Sequence, residues 1–371
     1  LFAIPHNGNA SDGLMFDTVK RNGKPVDAAY NKTRAANEPL YEITQIKGTS
    51  ETTPELSPTD EFAGFELWNY TLSADFERPS HPRGSYGRQA LLDGMSQAAA
   101  GAGNPFKYGF IGDTDTHNAA ASNEEFNFTG KFAFENNPKE RLTGVPGAPA
   151  GQIQQIQEFS SGGLAGVWAP QNTREAIWDA MQRKETFGTT GPMMKVRFFG
   201  SFDYAADDVN KPDFVKVAYA KGVPMGGDLK AGTGKAPTFL VMAMKDPKSG
   251  NLDRVQIVKG WLDAAGKQHE KIFDVAWSGD RKIGADGKLP PVGNTVDLKT
   301  ATYTDAIGAP QLATGWTDPE FKAGERAFYY ARVLEIPTPR WNTYDAARLK
   351  MPPLTKVPAT IQERAWSSPI W

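Results

Sequence analysis

A short segment in the first third of the chain combines an apolar run with a polar end. Residues 108–112 read Tyr-Gly-Phe-Ile-Gly, which is typical of a buried strand, and they are followed by Asp113, Asp115, His117 and Asn118. Because alternate residues of a strand share a face, Asp113, Asp115 and His117 should point the same way if the strand continues. Such groups bind metals or move protons. An Asp-rich turn that only caps a helix would have the same sequence, and both interpretations stay open here.

Two further residues of the metal-ligand type lie at comparable positions. A strand is predicted to end at His6, and the alternation of residues 40–46 predicts another strand that carries Glu42. On adjacent parallel strands, His6, Glu42 and the Asp115/His117 pair would meet at the carboxyl edge, where barrel enzymes build their sites. Two imidazoles and two carboxylates suit one or more divalent ions, with Zn or Mn first and Fe next. The alternative is a solvated His6 and a Glu42 that points outward.

A divalent ion held by these residues would acidify a bound water molecule and give a hydroxide nucleophile near neutral pH. Asp113 or Glu51 is expected to orient that water or to accept its proton. A small anionic substrate, with a phosphate, sulfate or carboxylate group, needs cationic partners. The residues predicted for this role are Arg78, His81, Arg83 and Arg88. The first three lie in a proline-bounded loop, which as an alternative is only a charged surface.

The composition excludes several other kinds of site. The 371 residues include no cysteine, which excludes thiolate ligands, Cys nucleophiles and disulfides. A formal net charge of -2 gives no reason to expect a nucleic-acid partner. No apolar run approaches the ~18 residues that a membrane helix needs, so no membrane partner is expected. The glycines at 101 and 103 do not follow a predicted strand, which argues against a dinucleotide-binding loop.

Helix and strand patterns alternate in the first half of the chain. The predicted elements are strands at 1–9, 40–46 and 108–112, mixed helical spacing at 15–37, and helices at 85–100 and 172–184. Helices that precede strands over short connections predict parallel strands, and we therefore expect an α/β barrel portion up to residue 190. Residues 119–171 show no sustained period and are predicted to form a long excursion over the barrel mouth.

The second half of the chain has a different pattern, with short strands separated by Gly, Asp, Asn and Pro turns. The strands are predicted to begin at Lys195, Phe214, Thr238, Arg254, Lys271 and Ala327. This pattern indicates a β-rich, sandwich-like domain over residues 191–371. The tail from Pro352 to Trp371 is expected to pack back onto the fold.

These motifs resemble the DUF3604 family, which is related to the PHP and amidohydrolase-like metal-dependent hydrolases. The resemblance covers nearly the whole chain. Its segments are Ile4–Asn9, Tyr41–Glu51, Phe110–Asn118, Gly162–Trp168, Asn172–Trp178 and Glu363–Trp371. It implies a PHP-like (β/α) barrel and a hydrolytic reaction, with His6, Glu42 and the Asp115/His117 pair at the metal site.

One motif of the family has no counterpart in this chain. The family opens with His-x-His on its first barrel strand, but no two of the four histidines here lie two residues apart. Either an upstream segment of the same protein supplies that part of the barrel, or the site is incomplete.

We expect a metal-dependent hydrolase in which a metal-bound hydroxide attacks a phosphate, sulfate or related ester, with an amide as the weaker alternative. A periplasmic or secreted bacterial protein is expected. The alternative from another class is a protein that keeps the hydrolase-like scaffold and captures a ligand without turnover. It would use the aromatic-rich part of the excursion at residues 126–134.

Overall fold

The computed structural model describes residues 3–230 and 234–371, and within them the fold is mixed α/β, with seven α-helices and fifteen β-strands. The helices are α1 (Ala28–Asn37), α2 (Gly87–Ala99), α3 (Pro138–Thr143), α4 (Ala150–Gln157), α5 (Arg174–Gln182), α6 (Phe214–Lys221) and α7 (Trp341–Leu349). The first five strands are β1 (Leu40–Gln45), β2 (Gly48–Thr49), β3 (Gly109–Gly112), β4 (Leu164–Val167) and β5 (Thr186–Thr189). The remaining strands are β6 (Lys195–Ser201), β7 (Val223–Pro224), β8 (Thr238–Met244), β9 (Leu252–Leu262), β10 (Gln268–Trp277), β11 (Gln311–Thr317), β12 (Arg326–Glu335), β13 (Thr338–Pro339), β14 (Thr360–Ile361) and β15 (Arg364–Ser367). None of the helices described is long and apolar enough to cross a membrane.

A small sheet in the order β2-β1-β3 positions the polar segments predicted from the sequence. Strands β1 and β3 run parallel, with Leu40 opposite Gly109 and Glu42 opposite Ile111. Every residue of β1 is buried. The predicted parallel pairing of these two strands is confirmed. Because parallel strands end at the same edge of a sheet, the residues that follow Gln45 and Gly112 come together.

The expected closed barrel is not found among residues 3–230 and 234–371, where the strands form four open sheets. The physical reason lies in the strand pairing. In the described chain, β1 and β3 are the strands that pair in parallel, whereas β4 and β5 pair antiparallel with each other and β5 continues onto β15. A (β/α) barrel needs a closed ring of parallel strands, which this pairing does not provide.

Most strands of the β-rich half belong to a six-stranded sheet in the order β10-β9-β12-β15-β5-β4 and a four-stranded sheet in the order β11-β8-β6-β7. The strands predicted to begin near residues 195, 238, 254, 271 and 327 are confirmed as β6, β8, β9, β10 and β12. Apolar side chains from both sheets, including Val196 and Phe239 from one and Ile257 and Val333 from the other, form one buried cluster. The two sheets therefore share one hydrophobic core.

One strand prediction is wrong. Residues from Phe214 onward form helix α6, which ends at Lys221 and buries Ala218. The apolar residues Phe214, Val215 and Val217 fit the strand period and the helix period almost equally well over so short a segment. Packing of the segment against the rest of the fold decides between the two periods, and a short sequence does not contain that information.

The C-terminal segment joins the two halves of the chain. Strand β15 lies between β12 and β5, so the six-stranded sheet contains strands from both sides of residue 190. Two bonds then connect this region to β3: Phe110 N donates to Ser368 Oγ at 2.9 Å, and Thr186 Oγ1 donates to Phe110 O at 2.9 Å. The end of β3 is therefore held firmly against the sheet.

The strand expected at residues 1–9 falls partly on Leu1 and Phe2, which lie outside the described residues. Residues 3–7 are irregular, and a 3₁₀ turn follows at Gly8–Ala10. One backbone bond connects this segment to β1, from Glu42 N to Pro5 O at 3.1 Å, and the Gln45 side-chain amide adds a bond to Asn7 Oδ1 at 3.0 Å. Proline lacks an N–H group, which disfavours a regular strand at this position.

Candidate functional site

The turn after β3 brings Asp115 and His117 together. His117 Nε2 lies 3.0 Å from Asp115 Oδ1. Strand β3 ends at Gly112, and Asp115 has a φ of +54°, so strand alternation does not extend to these residues. The two side chains meet through a left-handed turn instead. Asp113 is exposed, and its Oδ1 accepts from Thr114 N at 2.7 Å.

Two buried lysines contact the Asp115 carboxylate, and neither was among the site residues predicted from the sequence. Lys47 and Lys131 both donate to Asp115 Oδ2, Lys131 at 2.6 Å. Lys131 also donates to the Asp115 carbonyl at 2.6 Å and lies 3.3 Å from His117 Nε2. Burial alone would raise the pKa of Asp115, but the two ammonium groups outweigh it and lower the pKa to about 2. Asp115 is therefore ionised at neutral pH.

The sequence contained a signal for one of these lysines. Lys47 lies two residues after the end of β1, at the same sheet edge as the residues that follow β3. Burial, and next the charge of Lys131, lower the pKa of Lys47 to about 8. Lys131 belongs to the long excursion, where no period or motif singles it out.

Glu42 lies inside this edge of the sheet rather than pointing outward. Its Oε2 accepts from Gln45 Nε2 at 2.6 Å, and the same amide nitrogen reaches Asn7 Oδ1 at 3.0 Å. Burial raises the pKa of Glu42 to about 7, and the negative charge of Asp115 adds to this effect. Gln45 Oε1 is buried and accepts no hydrogen bond from the described residues. The Glu42 carboxylate and Gln45 Oε1 are therefore buried oxygen atoms with few hydrogen-bond donors around them.

His6 is exposed and its Nδ1 is 3.4 Å from Ile4 O, while its chain neighbours Pro5 and Asn7 bond to β1. In the part of the chain that the structure describes, no three His, Asp or Glu side chains converge closely enough to hold a metal ion. The structure thus joins Asp115 to His117 and places Glu42 within range of the Asp115 charge.

Glu51 and Arg88 belong to a different cluster. Glu51 Oε1 accepts from Arg88 at 2.5 Å, from the Tyr330 hydroxyl at 2.6 Å and from Arg332 at 3.2 Å. Asp60 accepts from the same two arginines, from Arg88 at 2.9 Å and from Arg332 at 2.7 Å. Burial would raise the pKa of Glu51, but Arg332 and Arg88 lower it to about 2. Glu51 and Arg88 are thus bound to each other and to their neighbours in the interior.

The basic loop predicted to receive an anion lies on the surface and has acidic partners of its own. Arg78 donates to Asp12 Oδ2 at 2.7 Å, and the backbone N–H of His81 donates to Asp12 Oδ1 at 3.2 Å. Arg83 lies 3.8 Å from Asp93. These exposed pairs are open to solvent, where ion pairs contribute little.

An aromatic group flanks His117. The Phe132 ring meets the imidazole edge to face, with centroids 5.1 Å apart, and stacks on Phe134 at 5.3 Å. Phe134 and Phe126 are exposed although they are large and apolar. The excursion therefore gives the site an apolar wall on one side.

A cavity of about 750 Å³ lies away from these residues. Its lining includes the aromatic side chains of Phe202, Phe321 and Trp371 and the ion pair of Lys107 with Asp228. None of the side chains predicted to act in catalysis, metal binding or substrate binding is among its lining residues. The Asp115/His117 group is therefore distinguished by its chemistry and not by the size of a cavity.

Comparison with known proteins identifies the family and nothing closer. No curated protein and no solved structure matches this sequence. The family described as "Protein of unknown function (DUF3604)" matches residues 1–371. Since this match covers the full length, the chain belongs to the DUF3604 family.

Proposed function

We propose that this protein is a metal-dependent hydrolase whose ion is held by Glu42, Asp115, His117 and His6, on a scaffold related to the PHP barrel. The observation that carries the proposal is the state of Glu42. Its carboxyl group is buried, its pKa is raised to about 7, and it lies near a second carboxylate that contacts an imidazole. A buried carboxylate of this kind gains most from a cation.

The residues present fit a divalent ion by the chemistry of their donors. Two carboxylates and an imidazole form the core of the set, and the unpartnered Gln45 Oε1 adds a neutral oxygen. The ammonium groups of Lys47 and Lys131 occupy Asp115 Oδ2, so an ion bound at this oxygen would take the place of at least one of them. A bound divalent ion would supply Lewis acidity and lower the pKa of a water molecule. An upstream segment with the family's His-x-His motif would add further ligands.

The chain's own groups have definite roles in this proposal. Asp113, exposed beside the pair, is placed to accept a proton from an attacking water. Lys131 holds the Asp115 carboxylate and backbone, and Phe132 keeps water from one side of His117. Phosphate and sulfate esters are the proposed substrates, with an amide as the weaker alternative, and the proposed location is the bacterial periplasm or outside the cell.

Metal analysis by plasma mass spectrometry tests this proposal. We expect the purified protein, loaded with Zn or Mn and then dialysed, to retain at least one equivalent, and His117→Ala to lose it. His269→Ala is the matched control, because His269 pairs with Asp263 in a distant β-hairpin. Retention of no metal by the wild-type protein, or equal retention by His117→Ala, would show the proposal to be wrong. Release of nitrophenol from nitrophenyl phosphate and nitrophenyl sulfate then identifies the ester.

The excursion favours a second candidate, a ligand-binding protein without turnover. Phe126 and Phe134 are 42% and 46% exposed, which is unusual for such apolar side chains. Ester hydrolysis by the metal-loaded protein, lost in His117→Ala, would exclude this candidate. Binding of an aromatic probe such as a naphthalene sulfonate that is lost in Phe134→Ala and kept in His117→Ala, without any hydrolysis, would support it.

A further inference from the structure

Arg364, the first residue of β15, is a buried cation with almost no partners. Its side chain stacks on the Phe65 ring at 3.6 Å, and Nη1 donates to the Phe62 carbonyl at 3.1 Å. Its Nε is buried and has no hydrogen-bond partner in the described chain. Guanidinium carries five N–H donors, so most of its capacity is unused. No carboxylate of the described residues lies within ion-pair distance of it.

The neighbouring buried arginines are paired. Arg332 contacts Asp60 at 2.7 Å, Arg340 contacts Glu66 at 2.8 Å, and Arg254 contacts Glu61 at 2.9 Å. Every one of these three has a carboxylate, and Arg364 differs from them although it is equally buried. Arg364 is therefore the one of these four buried arginines that has no paired carboxylate within the described residues.

An unpaired buried charge is costly, and the cost is relieved when an anion arrives. Burial, and next the charge of Arg332, lower the pKa of Arg364 to about 9. The guanidinium therefore remains charged at neutral pH. Its free N–H groups offer the planar geometry that matches a carboxylate or a phosphate.

Arg364 lines a cavity of about 250 Å³ that is open to solvent. Phe65, Pro337 and Pro358 contribute apolar walls, and Thr360 and Gln362 contribute polar groups. A water molecule takes about 30 Å³ of liquid volume, so the space admits a small organic anion as well as water. Glu61 and Glu66 also line this cavity, but each is already bound to its own arginine, as described above.

We propose that this cavity is a binding site for a small oxyanion, a carboxylate or phosphate group, with Arg364 as its main charged contact. The proposal does not depend on the hydrolase function, because none of its residues belongs to the Asp115/His117 group. The proposed ligand size is a few non-hydrogen atoms around the anionic group.

Isothermal titration calorimetry with acetate and with inorganic phosphate tests the site. We expect saturable binding of at least one of them, with a Kd below about 10 mM, and at least a ~10-fold loss of affinity in Arg364→Met. Arg21→Met, which removes an exposed arginine that does not line the cavity, should keep the wild-type affinity. The anion that binds shows whether the natural ligand carries a carboxylate or a phosphate. No saturation by either anion, or equal binding to Arg364→Met, would overturn the proposal.

A second pair of variants keeps the test decisive if Arg364→Met fails to fold. Gly64 lines the cavity, and a Cβ added there would meet Pro54 Cγ at 3.8 Å and nothing closer. Gly64→Asp adds a negative charge to the wall, and Gly64→Asn adds the same shape without the charge. We expect the Asp variant to bind the anion at least ~10-fold more weakly than the Asn variant, which corresponds to about 1.4 kcal/mol. Equal affinities in this pair would count against the site.

Discussion

Lys131 donates to the Asp115 carboxylate at 2.6 Å and to the Asp115 carbonyl at the same distance. A single side chain from the long excursion thus holds both the backbone and the carboxylate of the turn after β3. His117 N also donates to Lys131 O at 2.7 Å, so the excursion and the turn are joined in both directions. The geometry of the Asp115/His117 pair therefore depends on an element that carries no ligand-type residue of the proposed site.

Lys131→Met is expected to loosen the turn. Its loss leaves the Asp115 carbonyl without its donor and the carboxylate with Lys47 as its one ammonium partner, which should cost about 1–3 kcal/mol of unfolding free energy. Urea unfolding at neutral pH measures this cost. Lys139→Met, at an exposed position of α3, is the control and should stay within ~0.5 kcal/mol of wild type. Equal stability of the two variants would contradict the role assigned to Lys131.

Lowering the pH should reduce the difference in unfolding free energy between the wild type and Lys131→Met. The pKa of Asp115 is about 2 in the fold, below its ordinary value of 3.8, so ionised Asp115 stabilises the fold above about pH 4. This contribution is lost as the pH falls through about 2. Without Lys131 the folded pKa rises, so the Lys131→Met variant should benefit less from the ionisation of Asp115 than the wild type does. A stability difference between the two proteins that does not change between pH 7 and pH 2 would argue against the coupling.

Glu42→Gln is expected to change the pH dependence of stability near neutrality. The pKa of Glu42 is about 7 in the fold against an ordinary 4.5, so the unfolded chain ionises first and stability falls as the pH rises from about 4.5 to 7. The shift corresponds to roughly 3 kcal/mol when fully expressed. Urea unfolding at pH 5 and pH 8 should show this fall in wild type and a smaller one in Glu42→Gln. Glu175→Gln, an exposed position in α5, should behave as wild type.

The sequence predicted strands β1 and β3 better than it predicted the side-chain contacts made where these strands end. Alternation identified β1, and an apolar run identified β3, because both signals are local. The pairing of Asp115 with His117 was anticipated, but through a continuing strand, whereas the structure uses a left-handed turn at Asp115. Lys131 was missed because its contact with Asp115 is fixed by the path of an aperiodic loop.

Glu51 and Arg88 show even more clearly that local sequence does not reveal contacts between distant residues. From the sequence, Glu51 was assigned to proton transfer and Arg88 to anion binding because of the chemistry of their side chains. Their partners include Tyr330 and Arg332 on β12, which no local pattern connects to residue 51. Charged residues with distant partners cannot be told from catalytic ones by local sequence, since both are ionisable groups beside turns.

Arg332→Met is expected to be strongly destabilising. It removes the contacts to Glu51 and Asp60 and leaves Arg88 as the one arginine paired with both buried carboxylates, which should cost about 3–5 kcal/mol. Thermal and urea unfolding measure the loss. Arg326→Met, at an exposed position of the same strand, is the matched control and should change stability by less than about 0.5 kcal/mol. A small effect at Arg332 would mean that the cluster contributes little to folding.

Gly188 in β5 permits a close approach between β3 and the six-stranded sheet. A Cβ at this position would lie 2.7 Å from the Ile111 carbonyl carbon and 2.8 Å from Gly112 N, and these backbone atoms cannot rotate away as a flexible side chain can. Gly188→Ala should therefore push β3 and β5 apart at a cost of about 1–3 kcal/mol.

Since the Asp113–His117 turn begins where β3 ends, this displacement should also lower the metal affinity measured for the proposed site. Gly64→Ala is the control, because its added methyl group meets Pro54 Cγ at 3.8 Å without any clash. Metal retention and unfolding free energy that both match the control in Gly188→Ala would show that the close approach of β3 to β5 does not position the site.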